Sequence, residues 1–546
     1  MPDPSRATIA RQKRRRSGVW WLVGVVCVLA IALGITIRLI FARAEPILRQ
    51  RVIETLSVRF KSKVELAELH VWIADGIHAE GKGLKIYGAN DPNRWEPGIQ
   101  PLIAIGEFHF QTGLRNLFLQ PMRVDTVFVR GFTMNIPPKN DRKQIASFRQ
   151  RGKIRIAVDK YIFSDAQIVI NTEKPNKPPL EFDVRDLQLT STGQGRPLRF
   201  AAKLVNPRPV GHIDSKGFFG PLIEHSPRDT AVSGDYKFTD ADLGTIRGLG
   251  GILSSEGHYS GKLSRIEVKG ETDTPDFRIA VSGHRVPLHT EFQAMVDGTD
   301  GDTYLELVRA KLRHSPIVAK GKIIRTKNVQ GHEIELEVAL NQARIEDLLT
   351  VGVRTQPPIM AGEIELNCRL SLLPGEPDIA DRLQLAGNFH VPSGSFDNAK
   401  LQRRIDDLSF KSRGEPKLVG TTPDIPVTSD LQGSFKLKDG ILSFSSLQFR
   451  IPGTHANMTG QYSLDGKVFD FHGILKMEAK LSEMTNGWKS ILLKPIDPFF
   501  HKNGAGTEVP FKVTGTRSEP HFGLDFHHHE TPKTDSDAIT QPQLVH

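Results

Sequence analysis

The stretch Glu333-Ile334-Glu335-Leu336-Glu337-Val338 sets an acid beside an apolar residue three times in succession. Successive side chains of a strand point to opposite faces, so Ile334, Leu336 and Val338 share one face and three carboxylates the other. A helix would scatter the same residues around its circumference. The same period of two extends in both directions along the chain. It starts at Val64-Glu65-Leu66 and returns at Leu102 to Phe110, Glu181 to Leu189, Leu198 to Val205, Thr303 to Val308 and Ile317 to Ile324. Beyond the opening stretch it recurs in Glu363-Ile364-Glu365-Leu366 and Leu383-Gln384-Leu385. Turn residues separate these runs, as at Asp91-Pro92-Asn93, Asp297-Gly298, Pro374-Gly375 and Asp439-Gly440. Many short strands, each with one apolar face, predict a mainly β chain built as a long antiparallel sheet. Helical periodicity is nearly absent after residue 60, and the short exceptions are Asp240–Leu249 and Ala343–Val351. Those two also hint at a repeat, because Asp242-Leu243 and Asp347-Leu348 lie 105 positions apart, as do Gly257 and Gly362.

Upstream of the strands the pattern changes. Val19–Ile37 is a run of nineteen uncharged residues. At about 1.5 Å per residue a helix there spans roughly 28 Å, close to the hydrocarbon thickness of a bilayer. Arg14, Arg15 and Arg16 precede it and favour a cytoplasmic N-terminus, while Trp20 and Trp21 read as interfacial anchors. A cleavable signal peptide is the competing reading, since Ala42-Arg43-Ala44 has the A-x-A form, but the apolar run is longer than a signal core. Next, Leu48, Val52, Leu56 and Phe60 recur every four residues behind Pro46, the mark of an amphipathic helix. The expected organisation is a basic tail over 1–18, a transmembrane anchor over 19–42 and an amphipathic helix over 43–62. A β-rich body over 63–425, a second β region over 426–525 and a tail with little to bury over 526–546 complete it.

The formal charge is +10, of which residues 1–18 supply +5 from six basic residues and one acid. No basic cluster stands outside that tail, so nucleic acid is not an expected partner. The two cysteines, Cys27 and Cys368, fall on opposite sides of the expected topology, and the fold is not stapled by a disulfide. Burial and backbone pairing must hold it.

Candidate chemistry reads blandly. Asp297-Gly298-Thr299-Asp300-Gly301-Asp302 groups three carboxylates but lacks the glutamate of a calcium loop and reads as a hairpin turn. His527-His528-His529 beside Glu530 reads as opportunistic. Arg247–Gly257 is glycine-rich without the GK[ST] of a phosphate loop, and Gly257-His258-Tyr259-Ser260-Gly261 misplaces the serine of a nucleophile elbow. No cofactor, no metal site and no catalytic residue are expected, and the chain does not read as an enzyme. What stands out is the amount of one-faced strand. An apolar face of this extent must be covered, either by a second sheet, as in a sandwich, or by acyl chains lying in a trough. On the pattern alone the sandwich is the more ordinary solution. Phe182, Val184, Leu305, Leu307, Leu336 and Val338 are the inward positions that a trough would offer to lipid.

Three stretches resemble a known family. VELAELHVWIADGIHAEGKGLKIYG (64–88) with the segment before it resembles the start of bacterial AsmA-like proteins. SGDYKFTDADLGTIRGLGGILSSEGHYSGKL (233–263) and LQGSFKLKDGILSFSSLQFRIPGTHANMTGQYSLDGK (431–467) are similar to their middle and C-terminal regions. The resemblance implies a protein of the bacterial inner membrane, single-pass, with its bulk in the periplasm. It further implies a curled, groove-like sheet that binds or transfers phospholipid in outer-membrane biogenesis, with other envelope-assembly proteins as partners. A scaffold or regulatory role in envelope assembly without lipid transfer is the alternative.

Overall fold

In a computed structural model, described residues are 46–58, 62–87, 100–136, 156–171, 180–325, 332–484, 506–516 and 520–525, with short gaps inside these ranges, and Val28 and Ile31. The chain is mainly β. Twenty-six strands belong to one long mixed sheet that does not close. Two compact units are distinguished. The first comprises residues 1–205, 213–236 and 260–264, and the second 206–212, 237–259 and 265–546.

The first unit opens with a helix, α1 (46–58), whose Val52, Ile53 and Leu56 pack on a core of Val64, Leu66, Leu69, Leu84, Ile86 and Ile103. The amphipathic stripe therefore covers the start of the sheet, and Arg49 Nε donates to the Leu66 carbonyl at 2.7 Å. Strands β1 (Val64–Glu65) and β2 (Glu68–Ile73) both pair with β3 (Ile77–Ile86), followed by β4 (Ile103–Thr112), β5 (Met122–Ile136), β6 (Ile156–Ile170), β7 (Leu180–Thr190) and β8 (Leu198–Pro207). The antiparallel expectation fails at one ladder: β5 and β6 run parallel, Val124 opposite Val158 and Met134 opposite Ile168. Alternation fixes which face a residue takes but not the direction of its strand. The connection from residue 137 to 155 is long enough to return the chain to the same end of the sheet.

Strand β8 and strands β9 (Val210–Phe219), β10 (Ala231–Asp242) and β12 (Ile252–Lys262) have residues in both units, and the two-residue β11 (Leu249–Gly250) lies in the second. The second unit then proceeds through β13 (Arg265–Ile279), β14 (Val286–Val296), β15 (Thr303–Leu312), β16 (Ser315–Arg325) and β17 (His332–Arg344). Helix α2 (Ile345–Gly352) and the two-residue β18 (Met360–Ala361) lead to β19 (Glu363–Leu372). Next come α3 (Ile379–Arg382), β20 (Leu383–Phe396) and α4 (Ala399–Ser412). β21 (Ser429–Lys438), β22 (Ile441–Ile451), β23 (Thr454–Ser463), β24 (Phe469–Met477), β25 (Thr507–Gly515) and β26 (Pro520–Leu524) complete it. β20 and β21, on either side of residue 426, are paired neighbours.

The repeat is real in its topology, with a different correspondence from the one the sequence suggested. β10, a 3-10 turn (Leu243–Thr245), β11 and β12 follow each other as β17, α2, β18 and β19 do. In each copy the two-residue strand pairs with the strand after next, β11 with β13 and β18 with β20. Asp240 and Gln342 take positive φ of 56° and 57°, and the alanines that follow them, Ala241 and Ala343, are fully buried. The Leu243 N–H donates to Gly251 O, and the Ile345 N–H to Gly362 O, each at 3.0 Å. Gly362 therefore matches Gly251 rather than Gly257. Both turn the chain at positive φ (148° and 121°) with backbone carbonyls at 2.9 Å from where a Cβ would stand, so a side chain is excluded twice over.

A second correction concerns α4, which the apolar period did not reveal. Its buried positions include Gln402, Asp406, Ser409 and Ser412. Gln402 Nε2 donates to Asp406 Oδ1 and to the Val427 carbonyl, both at 2.9 Å, and Ser409 Oγ donates to the Pro452 carbonyl at 2.8 Å. Leu401, Ile405 and Leu408 do recur at helical spacing, half-buried beside the buried Phe410, but the stripe is narrow because the rest of the docking face is polar. What remained legible was its N-cap: Asn398 Oδ1 accepts from Lys400 N and Leu401 N.

Candidate functional site

Register turns the separate alternations of the second unit into one continuous face. Across β13 and β14, Ile266 lies opposite Val296 and Val268 opposite Ala294. Phe292 then faces Val308 on β15, and Leu305 faces Gly321 on β16, which in turn faces Leu336 on β17. Leu336 meets Leu370 of β19, and Val338 meets Cys368. The rows continue with Leu366 opposite Phe389 of β20 and Leu385 opposite Leu437 of β21. Phe435 then stands opposite Phe444, Leu447 opposite Met458, and Leu475 of β24 opposite Val509 of β25. Twelve strands thus present one largely apolar face, broken on β13 and β14 by Thr272 opposite Thr290.

Aromatic rings join the C-terminal part of that face into a chain. Phe389 lies 6.3 Å from Phe444, Phe444 5.9 Å from Phe471, and Phe471 5.0 Å from Phe469, centroid to centroid. The other side of the same strands is charged and wet. Lys320 pairs with Glu337 at 3.0 Å and Lys322 with Glu335 at 2.9 Å.

Burial along the apolar face is uneven, and the unevenness is ordered. At one end of the strands lie the fully buried residues Leu340, Ala343, Ile364 and Val391, with Val286 and Leu312 beside them. Helix α2 covers that end through Ile345, Leu348, Leu349 and Val351. Asp347 of α2, 1 % exposed, anchors the cover by accepting from the Ser315 hydroxyl at 2.9 Å and the His314 N–H at 3.1 Å, with Arg313 Nε at 3.4 Å. Helix α4 sits at the same end of the next strands, where Ser412 and Thr454 share a hydrogen bond at 2.6 Å. Away from that end no second layer covers the face among the described residues. Ile266, Val268, Leu305, Leu336, Val338 and Leu370, together with Phe389, Phe435, Phe444 and Leu447, are only half-buried. The connection between β19 and β20 returns to the start of the unit, its Ile379 N–H meeting the Arg247 carbonyl at 3.3 Å and Asp378 lying against Gly248.

Of the residues singled out in the sequence, Leu305, Leu336 and Val338 come together in this face. Leu307 leaves the row, because an irregularity between Leu305 and Val308 gives the inward place to Val308 and sets Leu307 opposite Gln293. Val184 and Phe182 belong to β7 of the first unit; Val184 is buried, opposite Ala166 and Leu204, and Phe182 lies opposite Ile168. Arg14, Arg15, Arg16, Trp20 and Trp21 lie outside the described residues, as do residues 526–546 with their three histidines. No helix among the described residues is long and apolar enough to cross a membrane. The aromatic chain from Phe389 to Phe471 escaped the sequence reading, since its members are neighbours only through pairing.

The chemistry of the face is that of a solvent for hydrocarbon. Its one thiol, Cys368, is pushed up to about 11 by burial among apolar neighbours. Asp297–Asp302 forms the β14–β15 turn, with Asp297 Oδ1 accepting from the Thr299 N–H at 2.9 Å. Arg247–Gly257 runs through β11 into β12, and Gly257–Gly261 lies within β12. No group of three metal-ligating side chains occurs among the described residues. No protein-family model, no curated protein and no solved structure matches this chain.

Proposed function

We propose that this chain is an envelope lipid-binding protein of the AsmA-like kind, anchored in a bacterial inner membrane, whose second unit is a curled trough for phospholipid acyl chains. The carrying observation is the half-buried apolar face over twelve paired strands. In a sandwich the middle of such a face would be fully buried by the opposing sheet. Here the described middle of the face is mostly half-buried, although Leu437, Phe471 and Val513 are buried outside the end under α2 and α4. Curling is supported by the Arg247–Ile379 hydrogen bond, because β13 and β19 are five ladders apart and would be separated by roughly 24 Å in a flat sheet.

The mechanism is passive. Acyl tails lie along the rows and remove apolar area from water at about 25 cal/mol per Å², while headgroups stay in solvent. The covered end stops the tails, so loading proceeds from the opposite end. Transfer toward the outer membrane, within the periplasm and with other assembly proteins, completes the reading.

The test uses neighbours that face opposite ways. The full chain carrying p-benzoylphenylalanine in place of Leu336 crosslinks phospholipid under illumination, and the same substitution at Glu337 does not. Leu336→Asp abolishes lipid crosslinking from position 338. Equal labelling at 336 and 337, or none at either, returns the sheet to the role of a scaffold.

A further inference from the structure

The first unit breaks the alternation rule on the face that should be polar. On β2 to β6 that face is set by three rows: His78 opposite Gln111; Glu80 opposite His109, Phe128 and Ile162; and Lys82 opposite Glu107, Arg130 and Ser164. Two large aromatics stand among these polar groups, Trp72 at 42 % exposure and Phe128 at 39 %. Apolar side chains this large, left partly open on a charged face, expose apolar area that the folded monomer does not use.

Their surroundings are built rather than incidental. Trp72 stacks on the His78 ring at 5.2 Å and 10°, and Phe128 stacks on His109 at 4.5 Å and 9°. Asp75 fixes the first platform by bonding His78 Nε2 at 2.8 Å and accepting from Gln111 Nε2 at 3.1 Å. Between and around the two platforms is a hollow of about 940 Å³, at the upper end of the roughly 300–1,000 Å³ of small-molecule sites. Glu80, Glu107, Asp125, Gln111, Thr126 and Arg130 put polar atoms on its wall.

We propose that this hollow is a binding site for a neutral oligosaccharide. A pyranose offers a flat C–H face to an aromatic platform and hydroxyls to carboxylate, amide and guanidinium groups, which is the combination on this wall. The cations at this wall are already engaged, Lys82 with Glu80 and Glu107 at 3.6 Å each and Arg130 with Asp165 at 3.7 Å, which disfavours phosphate or sulfate groups, and therefore nucleic acid. A lipid tail would desolvate these exposed ion pairs and Asp125 while offering no hydrogen bond in return. Three ladders of about 4.8 Å and a two-residue offset of about 3.4 Å each place Trp72 and Phe128 roughly 16 Å apart. One sugar ring cannot touch both, so the ligand has at least three.

The full chain is applied to an array of neutral, N-acetylated, phosphorylated and sulfated oligosaccharides, and the strongest ligand is titrated by tryptophan fluorescence and saturation-transfer NMR. Binding of neutral or N-acetylated oligomers is expected, weakened about tenfold or more by Trp72→Ala and by Phe128→Ala, with unchanged circular dichroism. Leu336→Asp, in the other unit, leaves it intact, which separates this site from the lipid trough. No binding on the array, preference for the anionic glycans, or binding indifferent to both aromatic variants overturns the proposal.

Discussion

Cys368 reports on the apolar face from its centre, one place across from Val338 and Gly387. Its pKa of about 11, raised by burial, keeps the thiol protonated through the neutral range, and only the thiolate attacks a maleimide. In a Cys27→Ser chain, labelling of Cys368 at pH 7 is expected to be far slower than for an exposed thiol and slower again with phospholipid vesicles added. Fast labelling that lipid does not alter would place Cys368 outside any lipid path. A second residue-scale prediction concerns His472, bonded through Nδ1 to Asp525 at 2.6 Å and through Nε2 to Asp470 at 3.0 Å. Asp525 first, and Asp470 after it, raise the His472 pKa against the opposing effect of burial. A folded-state pKa above the unfolded value contributes stability that is complete below about 6.5 and lost as pH rises through the folded pKa. The β26 amides should therefore lose exchange protection as pH rises through that window, and His472→Gln should flatten the dependence. Protection that rises with pH would reverse the sign and discard the linkage.

At the scale of the element, the repeated strand–helix–strand unit depends on one residue without a side chain in each copy. Gly251→Val and Gly362→Val each combine a positive-φ cost with a clash against backbone, so each lowers the thermal midpoint by several degrees. Gly257→Val, at the position the sequence spacing singled out, should cost less if the structural correspondence is right. The buried carboxylate that holds α2 has a sharper effect. Asp347→Ala leaves the Ser315 hydroxyl and the Arg313 charge without their shared partner, for a loss of about 3 kcal/mol in chemical denaturation. Helices α2 and α4 differ instructively in legibility. α2 announces itself by Ile345, Leu348 and Leu349 at helical spacing, whereas α4, beside its Leu401, Ile405, Leu408 and Phe410, also buries amide, carboxylate and hydroxyl groups that read as surface.

For the whole molecule, the question is what an apolar face does when nothing among the described residues fully covers it. Exposed patches of this size are rare on proteins that work alone in water. The lipid reading therefore predicts behaviour as well as binding: the full chain stripped of lipid should aggregate or bind a hydrophobic dye, and phospholipid should suppress both. The oligosaccharide hollow lies in the other unit and on the opposite kind of face, so each ligand should leave the affinity for the other unchanged.

By itself the sequence determined that Glu333–Val338 and its many counterparts are strands with one apolar side, because a side-chain period of two is a property of local geometry. It also indicated an amphipathic helix over 43–62, of which the structure shows 46–58 as helix. Tertiary structure alone decided that β5 and β6 run parallel, that Gly251 is the partner of Gly362, and that Phe389, Phe444 and Phe471 stand together. It also decided that Leu307 cedes its place to Val308. Each of those facts depends on register between segments distant in sequence, and register is fixed by pairing energies summed over whole ladders, which no local spacing encodes.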